Sequence, residues 1–147
     1  MLLEVCANSA QSARNAQLGG AQRIELCQNL NEGGLTPSFA AIDYCINRLQ
    51  INTFVLIRPR SGHFCYSDEE FYLMCQEVQQ CKRMGVSGVA VGFLHRDLSV
   101  DIKKTEQIVD LAAPMQVTFH RAFDLCVQPQ KALEDIIACG CRRLLTS

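Results

Sequence analysis

The sequence predicts an α/β protein of the (β/α)₈ TIM-barrel type, incomplete, with about five and a half βα units and parallel strands. Two observations predict it. Short apolar, strand-like runs alternate with amphipathic helical segments along the whole chain, and right-handed crossovers turn such an alternation into a parallel sheet. Within the strand-like runs the polar residues keep one parity and the aliphatic residues the other. A barrel whose lumen holds a site, with helices packed outside, produces that pattern, whereas central strands of a doubly wound sheet are apolar on both faces.

The first strand is read over 2–7, and Ser9 is placed to cap a helix over 10–18 that ends at Gly19-Gly20. Residues 23–27 alternate again as a second strand. Thr36-Pro37 is a suitable cap and first-turn proline for a helix to about Leu49. The third strand, 52–58, is stopped by Pro59. Ser67-Asp68-Glu69-Glu70 reads as a capping box opening a helix to about Met84. Residues 88–93 form a nearly apolar fourth strand and 101–112 a helix stopped by Pro114. A fifth strand over 115–120, a helix from Pro129 to about Cys139 and a sixth strand starting at Arg142 complete the series. No GxGxxG or GxxxxGK[ST] follows any strand, so the nucleotide-binding open sheets lose support. A complete barrel typically takes about 250 residues. One partial domain over residues 1–147 is therefore expected, with exposed first and sixth edge strands through which it could form a homo-oligomer.

Composition narrows the function classes. Hydrophobic residues make up 48% and charged residues 20%, with a formal net charge of -1, so the basic footprint of a nucleic-acid binder is missing. No apolar run reaches the ~20 residues of a membrane span. Met1-Leu2-Leu3 is followed at once by Glu4 with no signal-peptide pattern, which predicts a cytoplasmic location. The nine scattered cysteines, with no CxxC pair, then read as free thiols.

The chemistry gathers on the inward parity. Glu4, Glu25 and His120 are the candidate acid–base groups. Arg23, Arg58, Arg60, Thr118, Arg121 and Asp124 are the candidate residues for a small anionic ligand. Arg58 and Arg60, bracketing Pro59, could clamp a carboxylate or phosphate or pair with Glu4 and Glu25. Asp124 could fix the tautomer of His120. Cys6 and Cys27 take matching places in Glu4-Val-Cys6 and Glu25-Leu-Cys27, on strands expected to be neighbours. Facing side chains of adjacent strands lie about 5 Å apart at Cβ, close enough for two thiolates to share a soft ion such as copper(I). Cysteine as a small buried hydrophobe is the alternative.

The blocks Leu3-Glu-Val-Cys-Ala7, Gly19-Gly-Ala-Gln-Arg-Ile-Glu-Leu-Cys27, Glu32-Gly-Gly-Leu-Thr-Pro-Ser38, Ile57-Arg-Pro-Arg-Ser-Gly62, Val117-Thr-Phe-His-Arg-Ala-Phe-Asp124 and Arg143-Leu-Leu-Thr-Ser147 together resemble the CutC family. The resemblance runs through the whole chain in order and lacks the family's seventh and eighth strands. It implies a TIM barrel, a cytoplasmic location, a link to copper homeostasis and copper(I) as cofactor or cargo, held by Cys6 and Cys27. Against that stands the enzyme alternative, a TIM-barrel activity on a small anionic metabolite.

Overall fold

A computed structural model describes residues 1–147. Its elements run β1 (Glu4–Ala7), α1 (Ala10–Leu18), β2 (Arg23–Leu26), α2 (Phe39–Arg48), β3 (Asn52–Leu56), α3 (Asp68–Met84), β4 (Gly88–Val91), α4 (Ile102–Ala112), β5 (Gln116–Phe119), α5 (Pro129–Ala138) and β6 (Arg143–Leu144). Two 3₁₀ turns, Leu30–Glu32 and Arg121–Leu125, lie in segments whose sequence suggested loops. No helix is long and apolar enough to cross a membrane.

The six strands are parallel and adjacent in the order β1-β2-β3-β4-β5-β6. That order settles the architecture, because a doubly wound sheet reverses its strand order at a switch point. The strands form a half-barrel with helices on the outside, as the polarity of the strands predicts. Ile24, Leu26, Val55, Ile57, Val89, Val91 and Val117 share one buried cluster with Ala13, Ile42, Met74, Val78 and Ile108 of the helices. Each such fully buried aliphatic side chain contributes roughly 1.5–3 kcal/mol. Phe119 joins Leu94, Ala132 and Ile136 in a second cluster beneath α5.

Local chemistry sets the helix ends. Ser9 accepts from the Ser12 amide, and Ser67 with Glu70 forms the expected capping box. One cap differs from the sequence reading. Helix α2 begins at Phe39 under Ser38, whose hydroxyl accepts from the Ala41 amide, and not under Thr36. Thr36 is otherwise engaged: its hydroxyl accepts from the Arg58 amide at 2.9 Å and donates to Glu77 at 3.1 Å. It thereby ties the β2–α2 loop to the segment just past β3 and to α3.

Candidate functional site

The register fixes which side chains share the inner face. Cys6 lies opposite Glu25, Glu25 opposite Phe54, and Phe54 opposite Gly88. A second row runs Leu56, Ala90, Thr118 and Arg143. Cys6 and Cys27 are therefore diagonal neighbours and not directly opposed, a correction to their apparently matching places in the sequence. Their sulfurs still meet, with Sγ–Sγ 3.7 Å. Cys6 is exposed to the cleft, whereas Cys27 is buried against Leu56 and Ala90.

The electrostatics distinguish the two sulfurs. The hydrogen bond from Cys27 lowers Cys6 to about 7, against opposing effects of burial and of Glu4. Cys27 moves up, first because it is the partner in that bond and then through burial. Of the two thiols, Cys6 is therefore the one that ionises more readily. Glu25 is raised to about 7, chiefly by burial, then by the negative charges of Cys6 and Glu4, with Arg23 opposing. It has neither an ion-pair nor a hydrogen-bond partner, whereas Glu4 is paired with Arg23.

The floor of the lumen carries two arginines. The guanidiniums of Arg23 and Arg143 both stack on Phe54, at 4.8 and 4.7 Å from its ring centroid. Gly88 leaves room for that ring, since a Cβ there would collide with it. Glu4, Cys6, Arg23, Glu25, Thr118 and Arg143 line this floor, a cleft of 270 Å³.

Toward the carboxyl ends of the strands a cleft of 340 Å³ is lined by Cys6, Glu25, Arg58, Phe64, His120 and Arg121, among others. Arg58 is buried and spends its guanidinium on backbone, donating from Nη1 to Glu32 O (2.8 Å) and Gly34 O (2.9 Å) and from Nη2 to Gly62 O (3.1 Å). It makes no ion pair with Glu4 or Glu25. His120 is buried, and its Nδ1 accepts from the Ala122 amide at 3.1 Å, which leaves the proton on an unpartnered Nε2. Burial first, and then the charge of Arg58, lowers this imidazole to about 3, so it is neutral at physiological pH.

Three sequence expectations are corrected here. Arg60 stays outside the lumen: it pairs with Glu70 and stacks 4.9 Å from the Tyr66 ring centroid, in a separate 560 Å³ cleft between loops that also holds His63 and His95. Arg58 and Arg60 therefore form no joint clamp. Asp124 does not orient His120; its carboxylate accepts from Arg121, Thr146 and Ser147. His120 is consequently held by a backbone amide in place of a carboxylate.

The family model that matches this chain, described as the CutC family, spans residues 1–147. The chain belongs to the CutC family. A CutC family protein of Chromobacterium violaceum is 53% identical over 99% of the chain and 59% of its own length. One from Xylella fastidiosa is 48% identical over 99% of the chain and 54% of its own length. The chain thus spans a little over half the length of these curated relatives. Among solved structures, a putative copper homeostasis protein CutC from Streptococcus agalactiae superposes with a TM-score of 0.91 at 28% identity, covering 99% of this chain and 72% of that one. A putative phosphonomutase from Burkholderia cenocepacia superposes with a TM-score of 0.67 at 12% identity, over 97% of this chain and 67% of that one, a likeness of fold alone.

Within this CutC chain, Glu4, Cys6, Arg23, Glu25, Cys27, Arg58, Thr118 and His120 do converge on the inner face, while Arg60 is elsewhere and Arg121 with Asp124 sits at its rim. Arg143 and Phe54 are site residues that the sequence reading passed over. The parity of β5 and β6 could have flagged Arg143, which stands opposite Thr118. No group of three or more His, Cys, Asp or Glu side chains converges as a metal cage. The two sulfurs remain, a donor set suited to a soft ion of low coordination number.

Proposed function

We propose that this chain takes part in copper homeostasis in the cytoplasm by holding a copper(I) ion between the sulfurs of Cys6 and Cys27. The observation that carries the reading is their 3.7 Å approach, with one sulfur open to the cleft and the other buried behind it. Copper(I) prefers thiolate ligands, and capture displaces the Cys27 proton. Glu25, opposite Cys6 in the register and without a partner, is the group that would receive that proton. Membership of a family named for copper homeostasis supports the assignment. Titration of the reduced chain with copper(I) against a competing chelator tests it: one tightly held ion per chain is expected, lost in Cys6→Ser and in Cys27→Ser. Tight binding that survives both substitutions overturns it.

Glu25 favours a second reading. A buried carboxyl without a partner, balanced near neutrality, suits proton transfer, and Arg23 and Arg143 could hold a small anion over Phe54. An enzyme acting on an anionic metabolite would be stabilised thermally by phosphate or a small carboxylate. An unchanged melting temperature across such a panel removes this reading.

A further inference from the structure

We infer that Cys6 and Cys27 are a peroxide-oxidisable dithiol, with Cys6 the sulfur that meets the oxidant and Cys27 the sulfur that resolves it. That the resulting disulfide would shut off copper capture rests on the copper reading above; the oxidation itself does not.

The geometry separates the two roles. Cys6 is exposed and lines both lumen clefts. Cys27 is buried under Gly34, where an added Cβ would stand 3.5 Å from the Cys27 Cβ and 3.7 Å from its sulfur. Leu56 and Ala90 close its other sides. The sulfur of Cys6, 3.7 Å away, is the exposed sulfur beside it. Redox-sensing thiols have this character: one accessible sulfur with a resolving sulfur poised beside it.

None of the other seven of the nine cysteines has such a neighbour, since the Cys6–Cys27 contact is the one cysteine–cysteine hydrogen bond in the chain. Two of them are committed elsewhere, Cys126 donating to Ala122 O and Cys139 to Ile102 O. Selectivity within a thiol-rich chain therefore comes from position.

The chemistry balances. The Cys6 thiolate attacks one oxygen of hydrogen peroxide; the S–O bond forms, the O–O bond breaks and hydroxide leaves, taking up a proton to become water. Cys27 gives its proton to the departing sulfenic oxygen and its sulfur attacks Cys6; the S–S bond forms, the S–O bond breaks and a second water leaves. The sulfurs lose two electrons, which the peroxide gains.

Closing the bridge draws the sulfurs from 3.7 Å to about 2.05 Å. The residues are diagonal in the sheet, so the bridge closes under strain, and strained disulfides are the readily reduced ones. Cys27 lies just past Leu26, the last residue of β2, with its amide still held by Ala7 O at 2.9 Å, so the backbone resists closure of the bridge. A reversible modification is the outcome.

The test uses the copper-free, fully reduced 147-residue chain, treated with equimolar hydrogen peroxide at neutral pH, alkylated and mapped by mass spectrometry. Free thiols are expected to fall from nine to seven, with a peptide linking Cys6 to Cys27 that glutathione reverses. Cys27→Ser is expected to stop at a Cys6 sulfenic acid that dimedone traps. In case that variant misfolds, the alkylation rates of all nine cysteines in the unmodified chain give a second reading, with Cys6 expected fastest. Oxidation spread evenly over the cysteines, or a different linked pair, overturns the inference. Copper(I) binding by reduced and oxidised chains is then compared. A bridge that forms in a chain whose reduced form binds no copper keeps the inference and sinks the copper reading alone.

Discussion

The imidazole of His120 occupies the space that a side chain on Gly92 would need: a Cβ there would overlap the ring and also meet Ala122 at 2.8 Å. A glycine just past the end of β4 thus leaves room for the histidine that follows β5. Gly92→Ala is expected to cost about 1–3 kcal/mol, the usual range for overpacking. Urea denaturation measures it, and a midpoint shift of negligible size would show that the ring has room to move.

Acid should unfold the protein partly through His120. Its folded pKa, about 3, lies below the value of 6.5 for a free imidazole. The neutral ring therefore favours the fold above pH 6.5, and that advantage is lost as the pH falls from 6.5 toward 3. His120→Gln is expected to flatten stability across this window. Denaturation midpoints at pH 7, 5 and 4 report the difference, and parallel slopes in the two proteins refute it.

Glu25 has the opposite sign. Its pKa rises from 4.5 to about 7 on folding, so its contribution is most favourable below pH 4.5 and fades as the pH climbs through 7. Glu25→Gln is expected to be more stable than the parent at pH 8, by up to about 3 kcal/mol, with the gap shrinking toward pH 5. A variant no more stable at pH 8 would mean that the carboxylate is well solvated. If Glu25 receives the proton released by copper(I), the same variant also changes the pH dependence of binding.

Arg58 holds loops together. Its guanidinium bonds three carbonyls, from Glu32, Gly34 and Gly62. Charge-assisted hydrogen bonds contribute roughly 1.5–3 kcal/mol each, and lysine cannot reproduce the fork. Arg58→Lys is therefore expected to destabilise the chain by about 2 kcal/mol or more. Arg60→Ala, altering the cleft outside the lumen, should leave copper(I) binding unchanged. A loss of binding there would place the site wrongly.

Two edges of the sheet, on β1 and β6, each have one neighbour, and open edges invite pairing. In dilute solution the 147-residue chain is expected to self-associate. Light scattering gives its mass, and a monomer at every concentration excludes pairing through these strands.

How much of this could be read from residues alone follows from strand geometry. Period two is rigid, so the inward set from Glu4 to His120 and the outward set from Ile24 to Val117 are legible wherever the chain is a strand. Legibility ends where the strand does. Arg58 and Arg60 share a parity on paper, but β3 stops at Leu56 and the turn around Pro59 sends Arg60 toward Glu70. Asp124 lies in a 3₁₀ turn whose direction no periodicity encodes. The diagonal offset of Cys6 and Cys27 depends on register, which only the hydrogen-bond ladder fixes. Thr36 looked like a cap because its neighbours suit one; a tertiary partner, Arg58, claims its hydroxyl instead.

The stacked guanidiniums of Arg23 and Arg143 on Phe54 carry two positive charges, and Glu4 is the one carboxylate paired with either. Their end of the lumen holds these two guanidiniums together with Glu4 and Glu25. If copper(I) sits between the sulfurs as proposed, the arginine pair beyond them would act as a depth stop. Neutralising it would let the ion sink past its ligands.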